Sequence, residues 1–121
     1  MFGHDPQRTT LQSRMRVNDP RILAAIEAME RNLEEPLPLK QVCAASGLSL
    51  RHLQRRFGEA LRRSPTNFYR ELRLRRARHM LLHGSKSILD VAVATGFTSS
   101  SHFARRYRSL FGHAPREERH R

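Results

Sequence analysis

Residues 94–112 read ATGFTSSSHFARRYRSLFG, and residues 44–61 read AASGLSLRHLQRRFGEAL. In both, small residues lead to a glycine, an apolar residue follows, and hydroxyl residues precede a run in which large apolar side chains alternate with arginine. The roles recur in order. Val42, Ala45 and Gly47 return 49 positions later as Val91, Ala94 and Gly96, whereas Leu53, Phe57 and Pro65 return 50 positions later as Phe103, Tyr107 and Pro115. The pattern reads as an internal duplication whose second copy carries one extra residue in its turn.

Helical periodicity and capping signals place the elements around these two copies. Asp19 before Pro20 is an N-cap followed by a residue with preset φ, and Ile22, Ile26, Met29 and Leu33 predict a first helix over residues 20–34, ended by EEPLP. A short helix over 38–46, with Leu39, Val42, Cys43 and Ala45 inward, stops at Gly47. Ser49 caps a third helix over 50–62, with Leu50, Leu53, Phe57 and Leu61 on one side and Arg51, Gln54, Arg55 and Arg62 on the other. In the second copy Ser87 and Asp90 form a near capping box, Val91, Ala92 and Ala94 face inward, and Phe103, Tyr107, Leu110 and Phe111 form the next core stripe opposite Ser101, Arg105 and Arg108.

Ser64-Pro65 opens the segment between the copies, a long helix ending at His83-Gly84. Its apolar stripe changes side: Phe68, Tyr69 and Leu72 face one way, and Leu74, Ala77 and Leu81 face the other. Such a helix packs against two bodies. The expected fold is therefore all-α, with two homeodomain-like helix-turn-helix subdomains joined by a bridging helix. The expected divisions are a disordered tail or linker remnant over 1–17, then 18–64, 65–84 and 85–121 within a domain spanning 18–121.

The chain carries 23 basic against 11 acidic residues, a formal net charge of +12, and all but Lys40 and Lys86 of the basic residues are arginine. Such an excess points to an anionic partner, nucleic acid foremost; arginines decorating solvated helix faces are the plainer alternative. Position favours the partner, because each copy sets a basic ridge opposite a core stripe. A short helix, a tight turn and a basic helix make the helix-turn-helix plan, in which the second helix enters the major groove of duplex DNA. Arg51, Gln54 and Arg55 in the first copy, and Ser101, His102 and Arg105 in the second, are the candidate base readers: arginine can bridge guanine O6 and N7, and glutamine can pair with adenine. Ser49, His52, Ser87, Ser99, Ser100 and Arg108 are the candidate backbone contacts, since hydroxyls at a helix start can both cap it and donate to phosphate. Arg56, Arg63, Arg76 and Arg78 suit solvated or phosphate-facing roles. At 1.5 Å per residue the bridge spans about 27 Å, and the turns at its ends bring two ridges near the ~34 Å that separates successive major grooves.

Other function classes find little support. The lone Cys43 excludes an intrachain disulfide, the seven histidines lack zinc-ligand spacing, and no stretch has the length of a membrane span or signal core. Paired carboxylates, a phosphate-binding glycine loop and a nucleophile elbow are all missing, so no enzymatic activity, cofactor or metal is expected. The aromatics lie on core stripes, which disfavours an RNA-stacking platform, and a basic protein-interaction module is the remaining alternative.

Residues 20–115 also resemble a known family. DVAVATGFTSSSHFARRYRSLFGHAP is similar to the diagnostic stretch of AraC/XylS transcription regulators, including Ala94, Gly96, Phe97, Ser101, Phe103, Arg105, Phe111, Gly112 and Pro115, and LKQVCAASGLSLRHLQRRFGEALRRSP resembles its first unit. MERNLEEPL and RELRLRRARHML look like the GlxA-like subgroup. The resemblance implies sequence-specific binding of double-stranded DNA through two recognition helices, with Arg51, Gln54, Arg55, Ser100, Ser101, His102 and Arg105 at DNA-facing positions. It further implies a cytoplasmic, nucleoid-associated protein, RNA polymerase as a partner if it activates, and a sensor domain in full-length relatives that has no counterpart here. The chain is expected to be an excised domain or a short regulator. Pro38 departs from the family's usual hydroxyl cap.

Overall fold

A computed structural model describes residues 17–120, and among these the chain is helical with no strand. The elements are α1 (Pro20–Glu30), α2 (Leu39–Ser46), α3 (Leu50–Leu61), α4 (Pro65–His83), α5 (Ile88–Ala94) and α6 (Ser100–Phe111), followed by a 3₁₀ helix (Pro115–His120). The hydroxyls of Ser49, Ser64, Ser87 and Ser99 each accept the backbone N–H three residues on, at 3.0–3.2 Å, and Asp19 accepts that of Arg21 at 2.9 Å. Each cap satisfies a donor that the first helical turn leaves free. Pro38 makes no side-chain cap.

Two cores flank the bridging helix α4. Ile22, Ile26, Met29, Val42, Leu53 and Phe57 are buried with Phe68, Tyr69 and Leu72 from its first half, while Val91, Ala92, Phe97, Phe103 and Tyr107 are buried with Leu74, Ala77 and Leu81 from its second. The stripe thus switches sides between Leu72 and Leu74, as its periodicity implies. The second half of α4 supplies the second unit with the packing partner that α1 gives the first.

The structure corrects several expectations. Val17, assigned to the tail, is buried in the first core, and the expected disorder of the preceding residues lies outside the described range. Helix α1 stops at Glu30 rather than residue 34, because the backbone beyond it finds other partners: the Tyr69 hydroxyl donates to the Asn32 carbonyl and accepts the Leu37 N–H at 2.9 Å. Leu50 and Leu110 are 46% and 37% exposed, and Ala45 is exposed. Their places are taken by turn residues. Leu48 and Phe97 enter the cores, and Ser46 and Thr95 are buried with their hydroxyls donating to helix carbonyls at 3.0 and 2.8 Å. These two pairs preserve the 49-residue offset, so the extra residue lies after Phe97, at Thr98.

The units meet where the second turn packs on the loop after α1. Gly96 has φ +84°, and a Cβ there would lie 2.7 Å from the Leu33 carbonyl oxygen and 2.7 Å from the Pro36 ring. From α4, Arg73 reaches the same turn: its Nε and Nη2 donate to the carbonyls of Thr95 and Gly96, both at 2.8 Å, and its guanidinium stacks 4.2 Å above Phe97. The fork geometry of arginine suits two adjacent carbonyls.

The C-terminal 3₁₀ helix had no sequence signal of its own beyond Pro115, and it closes the second core. Its buried Glu118 presents one oxygen, Oε1, to the Tyr107 hydroxyl at 2.5 Å, His113 Nε2 at 2.8 Å and Arg78 Nε at 3.3 Å. Burial alone would raise the Glu118 pKa, but the hydrogen bonds from Tyr107 and His113 and the Arg78 charge outweigh it and hold the group below its ordinary 4.5. A depressed carboxylate pKa contributes stability that is present above the unfolded value and is lost as pH falls through the folded one. Thermal unfolding followed by circular dichroism should therefore show the wild type losing stability below about pH 4.5 more steeply than Glu118→Gln, which keeps the shape but cannot ionise. Parallel pH curves would remove Glu118 from the acid response.

Candidate nucleic-acid interface

Helix α3 is positioned by Leu53, Phe57 and Leu61, which are buried, so the residues opposite them are forced outward. Arg51, His52, Gln54 and Arg55 are all exposed. Ser49, Arg51, His52 and Arg55 line one shallow depression of about 260 Å³ at the start of the helix. Helix α6 repeats the arrangement: Phe103 and Tyr107 are buried, and Ser100, Ser101, Arg105 and Arg108 are exposed. The cap hydroxyls of Ser49, Ser87 and Ser99 accept from the backbone, which leaves each O–H free to donate outward.

His102 sits differently from its expected place on the ridge. It is half-buried, its ring lies 5.9 Å from that of Phe97, and its Nε2 accepts from Arg106 Nε at 3.4 Å. Burial first, then the charges of Arg106, Arg105, Arg70 and Arg73, push its pKa below the ordinary histidine value. The ring is therefore neutral near pH 7, and it supports the neighbouring Arg106 from beneath.

Pairing divides the arginines into two populations. Arg56 meets Asp19 at 3.1 Å, Arg63 and Arg75 meet Glu71 at 2.8 and 3.0 Å, and Arg78 meets Glu118. Three of the four arginines expected to be solvated or phosphate-facing, Arg56, Arg63 and Arg78, are thus held by acids instead; Arg76 is exposed. By contrast, Arg51, Arg55, Arg105 and Arg108 form no salt bridge among the described residues. The ridge charges are left for an external anion. Sequence reasoning missed Arg73, whose partners come from another element, and Arg70 and Arg106, which come from different helices to line one cleft. Among the described residues no cluster of three or more acidic, histidine or cysteine side chains could hold a metal, and no helix is long and apolar enough to cross a membrane.

Two equivalent units, each backing an exposed basic ridge with a buried stripe and sharing one bridging helix, define a tandem helix-turn-helix domain. Residues 42–121 match a family model described as a helix-turn-helix domain. The chain belongs to the AraC-type family of helix-turn-helix transcriptional regulators, a family of regulators rather than enzymes. It is 42% identical over 117 residues to the HTH-type transcriptional regulator ArgR of Pseudomonas aeruginosa, covering 97% of this chain and 36% of that protein. Against the regulator GlxA of Rhizobium meliloti it is 40% identical over 116 residues, covering 96% and 36%. The chain thus spans about a third of the length of these curated relatives. Among solved structures, an AraC-type transcriptional regulator from Chromobacterium violaceum superposes with a TM-score of 0.81 at 44% identity, covering 84% of this chain and 90% of that one. The AdpA DNA-binding domain, solved in complex with a target DNA, shares the fold at a TM-score of 0.76 and 22% identity, covering 82% and 89%.

Proposed function

We propose that this chain binds double-stranded DNA sequence-specifically as the DNA-binding part of a bacterial-type transcription regulator, with α3 and α6 in successive major grooves. The observation that carries this reading is the pair of equivalent ridges whose arginines lack acidic partners among the described residues, although other arginines have them. Arg51, Gln54 and Arg55 from α3 and Ser101 and Arg105 from α6 read base edges, with His102 at the ridge's inner border. Ser49, His52, Ser87, Ser99, Ser100 and Arg108 hold phosphates. Residues 18–64 and 85–121 act as the two reading units and 65–84 as the strut between them. One chain then recognises an asymmetric site, because its two copies carry different readers. The AdpA domain of the same fold, known with a target DNA, supports this reading. A sensor domain in a full-length relative, RNA polymerase as the partner of an activator, and a cytoplasmic, nucleoid-associated location belong to the same proposal.

The test uses a duplex selected by this chain from a random pool. Arg55→Ala and Arg105→Ala are each expected to weaken that duplex by about 1–3 kcal/mol while leaving random duplex nearly unchanged. Equal losses on both would make these residues phosphate contacts.

A further inference from the structure

The duplication allows one cleft to be compared with its own copy. The 50-residue offset relates Arg56 and Ala60 of α3 to Arg106 and Leu110 of α6, and each pair lines a cleft beside the helix that packs against it. In the first unit that helix is α1, and its cap Asp19 neutralises Arg56 at 3.1 Å. In the second unit it is α4, and the cleft, of about 330 Å³, is lined instead by Asn67, Arg70 and Glu71, with Arg63 at its edge. Glu71 is already committed on both oxygens, Oε1 to Arg63 at 2.8 Å and Oε2 to Arg75 at 3.0 Å. Arg70 and Arg106 form no salt bridge among the described residues.

Both are nevertheless held in place, and by neutral acceptors: Arg70 Nη1 donates to Asn67 Oδ1 at 3.0 Å, and Arg106 Nε to His102 Nε2 at 3.4 Å. Burial, then the Arg106 charge, holds Arg70 below the usual arginine range. Two fixed like charges in a partly dry cleft are unfavourable until an anion enters. The location names the anion's source. Arg106 follows Arg105 directly and so lies about 100° round α6 from it, on the side facing α4 and the first unit. With α3 and α6 docked in successive major grooves as proposed, a strand running from one groove to the other would pass that side.

We infer that the cleft between α4 and α6 seats a backbone phosphate of the bound duplex between Arg70 and Arg106, as the second unit's counterpart of the Asp19–Arg56 pair. The site rests on the DNA-binding reading above and adds a register-setting contact that no base reader supplies.

Asn67→Asp and Arg106→Gln test it on the selected and random duplexes. Each is expected to lower affinity on both duplexes by the same factor, about eight-fold at 0.1 M relative to 1 M salt, and to shrink the log–log salt slope by about 0.9. Asn67→Asp places its acid in the first turn of α4, where the helix dipole favours it, so its melting temperature should not fall. Single methylphosphonates along the selected duplex should include one position that costs the wild type this factor and costs Arg106→Gln nothing further. Unchanged slopes in both variants, or a methylphosphonate scan that treats variant and wild type alike, overturn the cleft. If the slopes stay unchanged while Arg55→Ala and Arg105→Ala still discriminate, the cleft alone falls; a wild type that binds no duplex sinks both.

Discussion

Gly96→Ala is expected to cost about 3–5 kcal/mol in urea unfolding, the largest effect of any glycine-to-alanine change among the described residues. Two causes add. The residue sits at φ +84°, where a side chain is strained, and the new Cβ would meet the Leu33 carbonyl oxygen and the Pro36 ring at 2.7 Å. Neither neighbour is the free end of a flexible side chain. Both belong to a loop pinned through Asn32 and Leu37 to the Tyr69 hydroxyl. Gly47 is the internal control, because it has the same handedness at φ +74° but open space around it. Gly47→Ala should cost only about 1 kcal/mol. Equal costs at the two positions would show that the second turn does not press on the first unit.

The second large effect is expected at Arg73. Arg73→Ala removes two charge-assisted hydrogen bonds to the Thr95 and Gly96 carbonyls and a stack on Phe97, and should destabilise by about 2–4 kcal/mol. Arg73→Lys should recover little, because a single ammonium cannot span both carbonyls in the plane of the ring. The same bonds tie the second turn to the strut, so their loss should also weaken binding to a duplex holding both half-sites more than to either half-site alone. A melt in which Arg73→Lys matches the wild type in stability would mean that charge alone is at work there.

Much of the fold is readable from local rules. Caps at Asp19, Ser49, Ser64, Ser87 and Ser99, each followed by an apolar stripe, locate the helix starts because a capping bond spans only two or three residues. The ridge residues Arg51, Gln54, Arg55, Ser101 and Arg105 were also legible, since exposure follows once Leu53, Phe57, Phe103 and Tyr107 are inward. Errors fell where a partner from another element decides. Tyr69 ends α1 early, and Leu48 and Phe97 replace Leu50 and Leu110 in the cores.

The sequence by itself determined the duplication, the order of six helices and the change of face along α4, because all three are written in short-range periodicity. Only the tertiary structure decided which arginines are spoken for. Arg55, Arg56, Arg105 and Arg106 are chemically alike along the chain, yet Arg56 meets Asp19 while Arg106, among the described residues, meets a neutral histidine and no acid. Charge pairing depends on distance in space, and packing of distant segments sets that distance.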